Sequence, residues 1–232
     1  MANAAVVYDR EYNGQTYTLE ASGGLMNSTL VMQDRETDSY WSLMHEEVVA
    51  GKLKGTKLEE LPVGVKMQWK DWVKLHPDTK VLSVNGREDA PDVYEDYFSS
   101  PLGFRNTQAE DRRLPTKQPI FAFKFKNKPV AVPHEFIEGG KVFDTGSGEK
   151  IFFYRPVGAP KFFSTFAYVT RGKGFVKNSE GKWQDIDSGC LFNEVTGVFE
   201  GGNGECPQRL GGFDTFWYNW SLNHPDTELL GK

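Results

Sequence analysis

The chain contains WKDWVKLHPDTKVL at residues 69–82 and WYNWSLNHPDTELL at residues 217–230. Read at one constant offset, the two stretches share seven of fourteen residues, among them both tryptophans and the run His-Pro-Asp-Thr. Self-similarity of this kind is the signature of repeated folding units, and a weaker match pairs Val6–Arg10 with Ile151–Arg155. We therefore expect two degenerate copies related by a pseudo-twofold rotation, with like surroundings for the shared residues. The structural repeat positions are Trp72, His76, Asp78, Trp220, His224 and Asp226.

The two copies are expected to differ in length. Residues 1–85 form the first copy, residues 86–118 a linker packed on the body, and residues 119–232 the second copy, all in one compact unit. The second copy opens with the alternating segment Pro119–His134, whose counterpart at the same offset would precede residue 1. Three explanations are open: a truncated sequence, strands supplied by another chain, or strands gained by the second copy. Because unpaired strand edges promote association, the first copy predicts a partner or a covering segment.

Short strands dominate the predicted secondary structure. The pair Asn13-Gly14 between two alternating runs predicts a hairpin, and further short strands are bounded by glycine, proline and asparagine. Each copy adds one short tryptophan-rich helix, and in the first copy the three- and four-residue spacing predicts it over residues 68–75. That helix ends before Pro77, after which the chain turns into a strand over residues 80–84. The predicted fold class is mainly β, with small sheets or barrel-like units.

Composition excludes several classes of protein. Aromatic residues make up 14% of the chain, which excludes a disordered protein. No apolar run approaches the roughly 18 residues that a membrane-spanning helix needs. The net charge of −5 provides no basic surface for nucleic acid or anionic lipid, and the first residues lack the regions of a signal peptide. We expect a protein partner or self-association, with no nucleic acid and no membrane span.

Five polar residues are candidates for a binding or metal site. The imidazoles of His45 and His134 can ligate a metal or transfer a proton near neutral pH, and Asp34 and Arg35 occupy a charged hairpin turn. The structural alternative is a solvated turn, or a carboxylate held by a guanidinium. Because no HxH or HExxH spacing is present, the cofactor stays unassigned, with a metal as an open alternative, and no catalytic residue is assigned. The candidates are His45, Glu46, His134, Asp34 and Arg35.

The two cysteines, Cys190 and Cys206, flank a glycine-rich stretch. Either they form a disulfide, which contributes about 3 kcal/mol in the chain-entropy model, or they remain two small unlinked thiols. Without a CxxC pair they cannot build a cysteine-rich zinc site by themselves.

Four spaced motifs follow one another in order: LMNSTL at residues 25–30, DRETxSxWS at 34–42, GxLxGxxL at 51–58 and WxxxHPDT at 72–79. Together they resemble the prokaryotic family known only as domain of unknown function 3179, over nearly the whole chain. Members resemble exported or envelope proteins, which implies a periplasmic or extracellular location and suits a Cys190–Cys206 bridge. The family typically carries a Cys-Pro-x-Cys segment just before the strand at Ala4–Arg10, and this sequence does not contain it. The resemblance implies no activity.

Three functions are compatible with these observations. The leading hypothesis is a non-catalytic binding or assembly module of an exported family, and the unequal copies motivate it. The first alternative is a metal-dependent enzyme, redox chemistry included, that uses His45, His134 and nearby carboxylates in a cleft between the copies. The second alternative is carbohydrate binding by exposed tryptophan and tyrosine side chains.

Overall fold

The computed structural model describes residues 3–83, 85 and 94–231. The protein is mainly β, with 35% strand and 11% helix, so the predicted fold class is confirmed. Val84, at the end of one predicted strand, and residues 86–93 of the predicted linker lie outside the described residues. None of the helices in the described range combines the length and apolarity needed to cross a bilayer.

The described strands form five small sheets, none of which closes into a barrel. The first is the hairpin β1 (Glu11–Tyr12) and β2 (Gln15–Thr16). Its turn residues Asn13 and Gly14 have φ values of 54° and 75°, which is the type I′ geometry that an Asn-Gly pair favours. The second sheet is a meander of β3 (Leu19–Met26), β4 (Thr29–Asp34), β5 (Tyr40–Ser42) and β6 (Glu47–Ala50).

The other three sheets lie in residues 119–231, which we call the second half; residues 3–83 are the first half. The strands are β7 (Pro119–Phe125), β8 (Lys128–Pro133), β9 (Lys141–Asp144), β10 (Lys150–Tyr154), β11 (Phe166–Thr170), β12 (Phe175–Lys177), β13 (Trp183–Asp185), β14 (Leu191–Asn193), β15 (Val198–Glu200), β16 (Gln208–Arg209), β17 (Phe213–Phe216) and β18 (Glu228–Leu229). Their orders are β16-β11-β10-β9, β12-β13-β14-β15 and β17-β7-β8-β18. The hairpin β7–β8 therefore lies inside its sheet, between two strands that are close together in sequence.

Three short α-helices complete the described chain: α1 (Trp69–Leu75), α2 (Glu95–Ser99) and α3 (Trp217–Asn223). Helices α1 and α3 end in the same way. After α1 the His76 amide donates to the Trp72 carbonyl at 2.9 Å and the Thr79 amide to the His76 carbonyl at 3.2 Å, and the corresponding bonds after α3 measure 2.8 and 3.2 Å. In both turns the histidine ring packs on the tryptophan four positions earlier, with ring centroids 4.2 and 4.1 Å apart.

The two helices differ in what covers them. Six residues of α3 are buried, whereas α1 has no buried residue. Trp220 is fully buried, while Trp72 is only half-buried. The expectation of like surroundings therefore holds within each helix and its turn and is wrong for the packing around them. The common origin of the two halves stays a prediction.

The sheet β12-β13-β14-β15 is a second meander, and its β13–β14 turn has the same hydrogen-bond pattern as the β4–β5 turn of the first meander. The Asp34 amide donates to the Ser39 carbonyl at 3.1 Å, and the Asp185 amide donates to the Cys190 carbonyl at 3.0 Å. Each aspartate then accepts from the amide and the hydroxyl of the residue three positions later. A short polar side chain that caps its own turn in this way replaces backbone partners that the tight bend cannot supply.

The weaker predicted match between Val6–Arg10 and β10 is wrong. The Leu61 amide donates to the Val7 carbonyl at 2.8 Å, and the Leu210 amide donates to the Ala167 carbonyl at 2.9 Å. Val7 thus occupies the place that Ala167 of β11 has in the second half. The sequence match followed aromatic and basic residue types, but the backbone pairing decides which strands correspond.

The core is built mainly from aromatic side chains in the second half. One cluster lies between the β7–β8 hairpin and the sheet containing β10 and β11, and includes Phe121, Phe123 and Phe153. Another cluster joins that sheet to the second meander through Phe152 and Phe192. A third packs β7 and β8 against both tryptophans of α3 and also contains Met44 from the first half. Apolar packing thus joins the two halves.

Candidate functional site

His45 and Glu46 lie where the first meander contacts the second half. The His45 ring is 5.8 Å, centroid to centroid, from the ring of His224. His224 Nε2 donates to the Met44 carbonyl at 2.7 Å, and Lys124 forms an ion pair of 2.8 Å with Glu46. Burial lowers the pKa of His45, and it lowers the pKa of His224 to about 4. Both imidazoles are therefore neutral at physiological pH.

This cluster has few of the ligands that a metal site needs. One nitrogen of His224 is taken up by the Met44 carbonyl, and His45 Nδ1 lies 3.0 Å from Ser42 Oγ. A structural zinc site uses four ligands and a catalytic one three protein ligands. In the described part of the chain, no group of three or more histidine, cysteine, aspartate or glutamate residues could hold a metal ion.

Asp34 and Arg35 belong to different environments although they are adjacent in sequence. The Asp34 carboxylate is fully buried and accepts hydrogen bonds from Thr37, from the Ser39 amide and from Trp41 Nε1. Burial raises the pKa of this carboxyl, but the hydrogen bonds outweigh it and the pKa ends below its usual range. Arg35 is exposed and pairs with Glu20 at 2.7 Å. The arrangement stabilises a turn and presents no paired carboxylates to a substrate.

His134 lies in a buried ionic cluster whose other members the sequence analysis did not identify. Its Nε2 is 2.8 Å from Asp214 Oδ1, and Arg155 Nη1 is 3.4 Å from the same oxygen. The Thr165 amide donates to Asp214 Oδ2 at 2.8 Å. Burial raises the pKa of Asp214, but the contact with His134 and the nearby cations outweigh it and hold the pKa at about 2, whereas burial lowers the pKa of His134.

All three ionic side chains of this cluster are buried, with Arg155 only 1% exposed. Buried charges persist only when they are paired and hydrogen-bonded, so the cluster fastens the loop before β11 to β17. Its partners come from three distant segments, and no local spacing pattern connects them. His45 and His134 thus have different partners. Within the described residues, neither histidine belongs to a group of three side chains that could hold a metal ion.

Cys190 and Cys206 form a disulfide, which is one of the two alternatives that the sequence left open. The S–S distance is 2.06 Å, and the bridge closes a loop of 16 positions across the second meander. Cys190 is fully buried and packs among the rings of that meander. The bridge therefore holds the loop after β15 against the aromatic core.

A groove of about 760 Å³ lies between the amino-terminal segment, the β3–β4 hairpin and Phe213. Among the described residues that line it, Arg105 carries the single charge, and most others are apolar, such as Leu25, Leu30 and Met44. General acid–base catalysis needs a titratable group positioned at the substrate. This groove provides volume and apolar surface without such a pair.

The most exposed apolar surface that is associated with a repeated motif lies around α1. Trp69 is 53% exposed, Val81 65% and Leu82 90%. Their counterparts Trp217, Leu229 and Leu230 pack into apolar clusters. The backbone groups of Val65 and Met67, just before α1, hydrogen-bond to no described residue. We call the side chains of Trp69, Trp72, Val81 and Leu82, with the backbone of Val65 and Met67, the α1 face.

Comparison with known proteins gives a family without an activity. A family model described as "Protein of unknown function (DUF3179)" matches residues 1–227. The chain belongs to this family. No curated protein matches it, and no solved structure matches it. DUF3179 membership agrees with the four motifs of the sequence.

Proposed function

We propose that this DUF3179 protein is a non-catalytic binding module that takes up a protein partner on the α1 face, and that it works outside the cytoplasm. One observation carries the proposal: six of the seven residues of α3 are buried, whereas none of the seven residues of α1 is buried by the described part of the chain. Contiguous exposed apolar surface marks interaction sites on soluble proteins. The disulfide supports the location, because disulfides persist in oxidising compartments.

The polar clusters support binding over catalysis. The rings of His45 and His224 lie against each other and have lowered pKa values. The carboxylates of Asp34 and Asp214 are buried among hydrogen-bond donors. The metal-dependent alternative predicts stoichiometric copper, zinc or iron after purification in metal-free buffers, which elemental analysis measures. The carbohydrate alternative uses exposed tryptophan and tyrosine side chains, such as Trp69 and Tyr40. Trp41, Trp217 and Trp220 are fully buried and take no part in it. A glycan panel read by tryptophan fluorescence tests it.

Site-specific photo-crosslinking tests the proposal. Benzoylphenylalanine replaces Leu82 in the full chain expressed in its native host, and a matched variant carries it at Val157, which is exposed at 78% but remote from α1 in sequence. We expect one discrete adduct from position 82, absent from position 157 and lost when Trp69→Lys is added. Equal adducts at both positions, or none at position 82, would contradict the proposed function.

A further inference from the structure

We propose that the partner segment which the α1 face accepts is a β-hairpin with the alternating pattern of β7–β8. This inference rests on the proposed binding function and names the kind of partner. The geometry of the second half shows what covers an α3-type helix, and the α1 face has apolar side chains at the corresponding positions, both tryptophans among them.

In the second half the hairpin lies between the strands on either side of α3. Strand β17 pairs antiparallel with β7, with Thr215 opposite Ile120. On the other edge β18 pairs in parallel with β8, with Leu229 opposite Ala131. The Leu230 amide then donates to the Ala131 carbonyl at 2.9 Å. One hairpin thus supplies hydrogen-bond partners to the chain before α3 and to the chain after it.

None of the described residues pairs with the corresponding edges of the chain around α1. Val65 and Met67 correspond to Phe213 and Thr215 of β17, and their backbone groups bond to no described residue. Between them Lys66 uses the opposite edge, where its carbonyl accepts from the Ser164 amide at 3.0 Å. The alternation of a strand sends successive backbone groups to opposite edges, so the free edge is the one that β7 occupies in the second half.

The residues after the α1 turn are equally ready to pair. Val81 and Leu82 correspond to Leu229 and Leu230, and no described residue accepts or donates a backbone hydrogen bond to them. Addition of an extended segment to such an edge is a common mode of peptide recognition, in which backbone bonds give affinity and side-chain positions give specificity.

On the side of the helix that the hairpin covers, α1 and α3 have the same residue types, whereas on another side their residue types differ. Ile120, Ala122 and Ala131 of the hairpin share a cluster with Trp217 and Trp220, and α1 has tryptophan at both counterpart positions.

Tyr218 faces the segment before β7 instead, where its hydroxyl lies 2.9 Å from that of Tyr97. Its counterpart in α1 is Lys70, which is exposed. The α1 helix thus has the tryptophans that a hairpin covers in α3, but it has a lysine where α3 has the tyrosine that contacts Tyr97.

The two faces of the hairpin define the partner's chemistry. Its face toward α3 carries the smaller residues Ile120, Ala122 and Ala131, and its other face carries Phe121 and Phe123 among larger residues. On the α1 side, Leu61 is exposed at 39% where its counterpart Leu210 packs against that second cluster. We therefore expect a partner hairpin with small aliphatic residues toward the tryptophans and large apolar residues on the other face.

A peptide of residues 117–135 is the probe, because it contains the hairpin that covers α3. Hydrogen exchange read by mass spectrometry is measured on the full chain with and without the peptide. We expect slower exchange in segments 65–69 and 80–83, and about tenfold weaker binding by calorimetry in a Trp69→Lys or Leu82→Lys chain. A Val157→Lys chain is the matched control and should bind as the unmodified chain does.

A second arrangement removes the need for the free peptide to fold. Lys66 Nζ donates to the Asn3 carbonyl at 2.5 Å, so a second copy of residues 117–135 fused through a flexible linker ahead of Asn3 starts near the chain that precedes α1. Intramolecular linkage raises the effective concentration to about the millimolar range. We expect a higher melting temperature than for a fusion carrying Ile120→Lys and Ala131→Lys in the added hairpin.

The outcomes separate the two proposals. No protection in segments 65–69 and 80–83, together with equal melting temperatures for the two fusions, overturns the hairpin inference. If position 82 still gives its discrete photo-adduct, the proposed binding function stands and the partner has another structure. If the adduct is absent as well, both fall. Protection that persists in the Trp69→Lys and Leu82→Lys chains also counts against the hairpin inference.

Discussion

Matched substitutions in the two helices provide the sharpest test of the difference between them. Trp217 and Trp69 are at equivalent positions, but Trp217 is fully buried, whereas Trp69 is 53% exposed. Trp217 Nε1 also donates to the Asp111 carbonyl at 2.8 Å. Replacing a buried tryptophan by alanine costs about 3–5 kcal/mol, so we expect Trp217→Ala to lower the free energy of unfolding by about 4 kcal/mol. For a chain of this size that corresponds to a fall of roughly 10 °C in melting temperature.

Trp69→Ala should change the free energy of unfolding by no more than about 0.5 kcal/mol, the range of ordinary surface substitutions. Urea titration at pH 7, followed by circular dichroism, measures both variants against the unmodified chain. If Trp69→Ala destabilises the protein as much as Trp217→Ala does, α1 is covered in solution. The reasoning from exposure would then be refuted.

Three further predictions concern turns, cross-links and pH. Asp34→Ala should lower the free energy of unfolding by about 3 kcal/mol in urea titration, because it leaves several buried donors unpaired. Arg35→Ala removes an exposed ion pair and should lower it by less than about 1 kcal/mol. Equal losses in the two variants would contradict the roles assigned to Asp34 and Arg35. Cys206→Ser should lower the free energy of unfolding by about 3 kcal/mol, measured by calorimetry. A reducing agent should cause the same loss in the unmodified chain and no loss in the variant. Burial lowers the His224 pKa to about 4, so the unfolded chain binds a proton between about pH 6.5 and 4 that the folded chain does not. The free energy of unfolding should therefore fall as pH falls through that window, and a His224→Gln chain with an equally steep dependence would refute this assignment.

Local chemistry made much of the fold predictable. The Asn13-Gly14 hairpin and the helix before Pro77 depend on backbone preferences of neighbouring residues, so sequence patterns identified both. The sequence left the Cys190–Cys206 disulfide open, because only the folded chain shows that the two cysteines meet. The strand predicted over residues 80–84 does not form in residues 80–83. Its counterpart β18 exists because β8 pairs with it, and strand structure depends on a partner that local sequence does not specify.

The polar clusters were only partly predictable. His45, Glu46 and His134 are visible as residue types, but their partners His224, Lys124 and Asp214 come from distant parts of the chain. Such contacts depend on how β5, β7 and β17 pack, which no spacing along the sequence records. The best sequence signal for Asp214 was its place just before the second tryptophan motif.

By itself the sequence determined the mainly β class, the family, and two helices with an identical turn, because these depend on residue types at short spacing and on the order of motifs. Only the tertiary structure decided that one of these helices is buried and the other exposed. Burial depends on which strands pass over a surface, and the β7–β8 hairpin passes over α3 while no described segment passes over α1. The same short motif therefore stabilises a core in one half of the molecule and forms an accessible surface in the other.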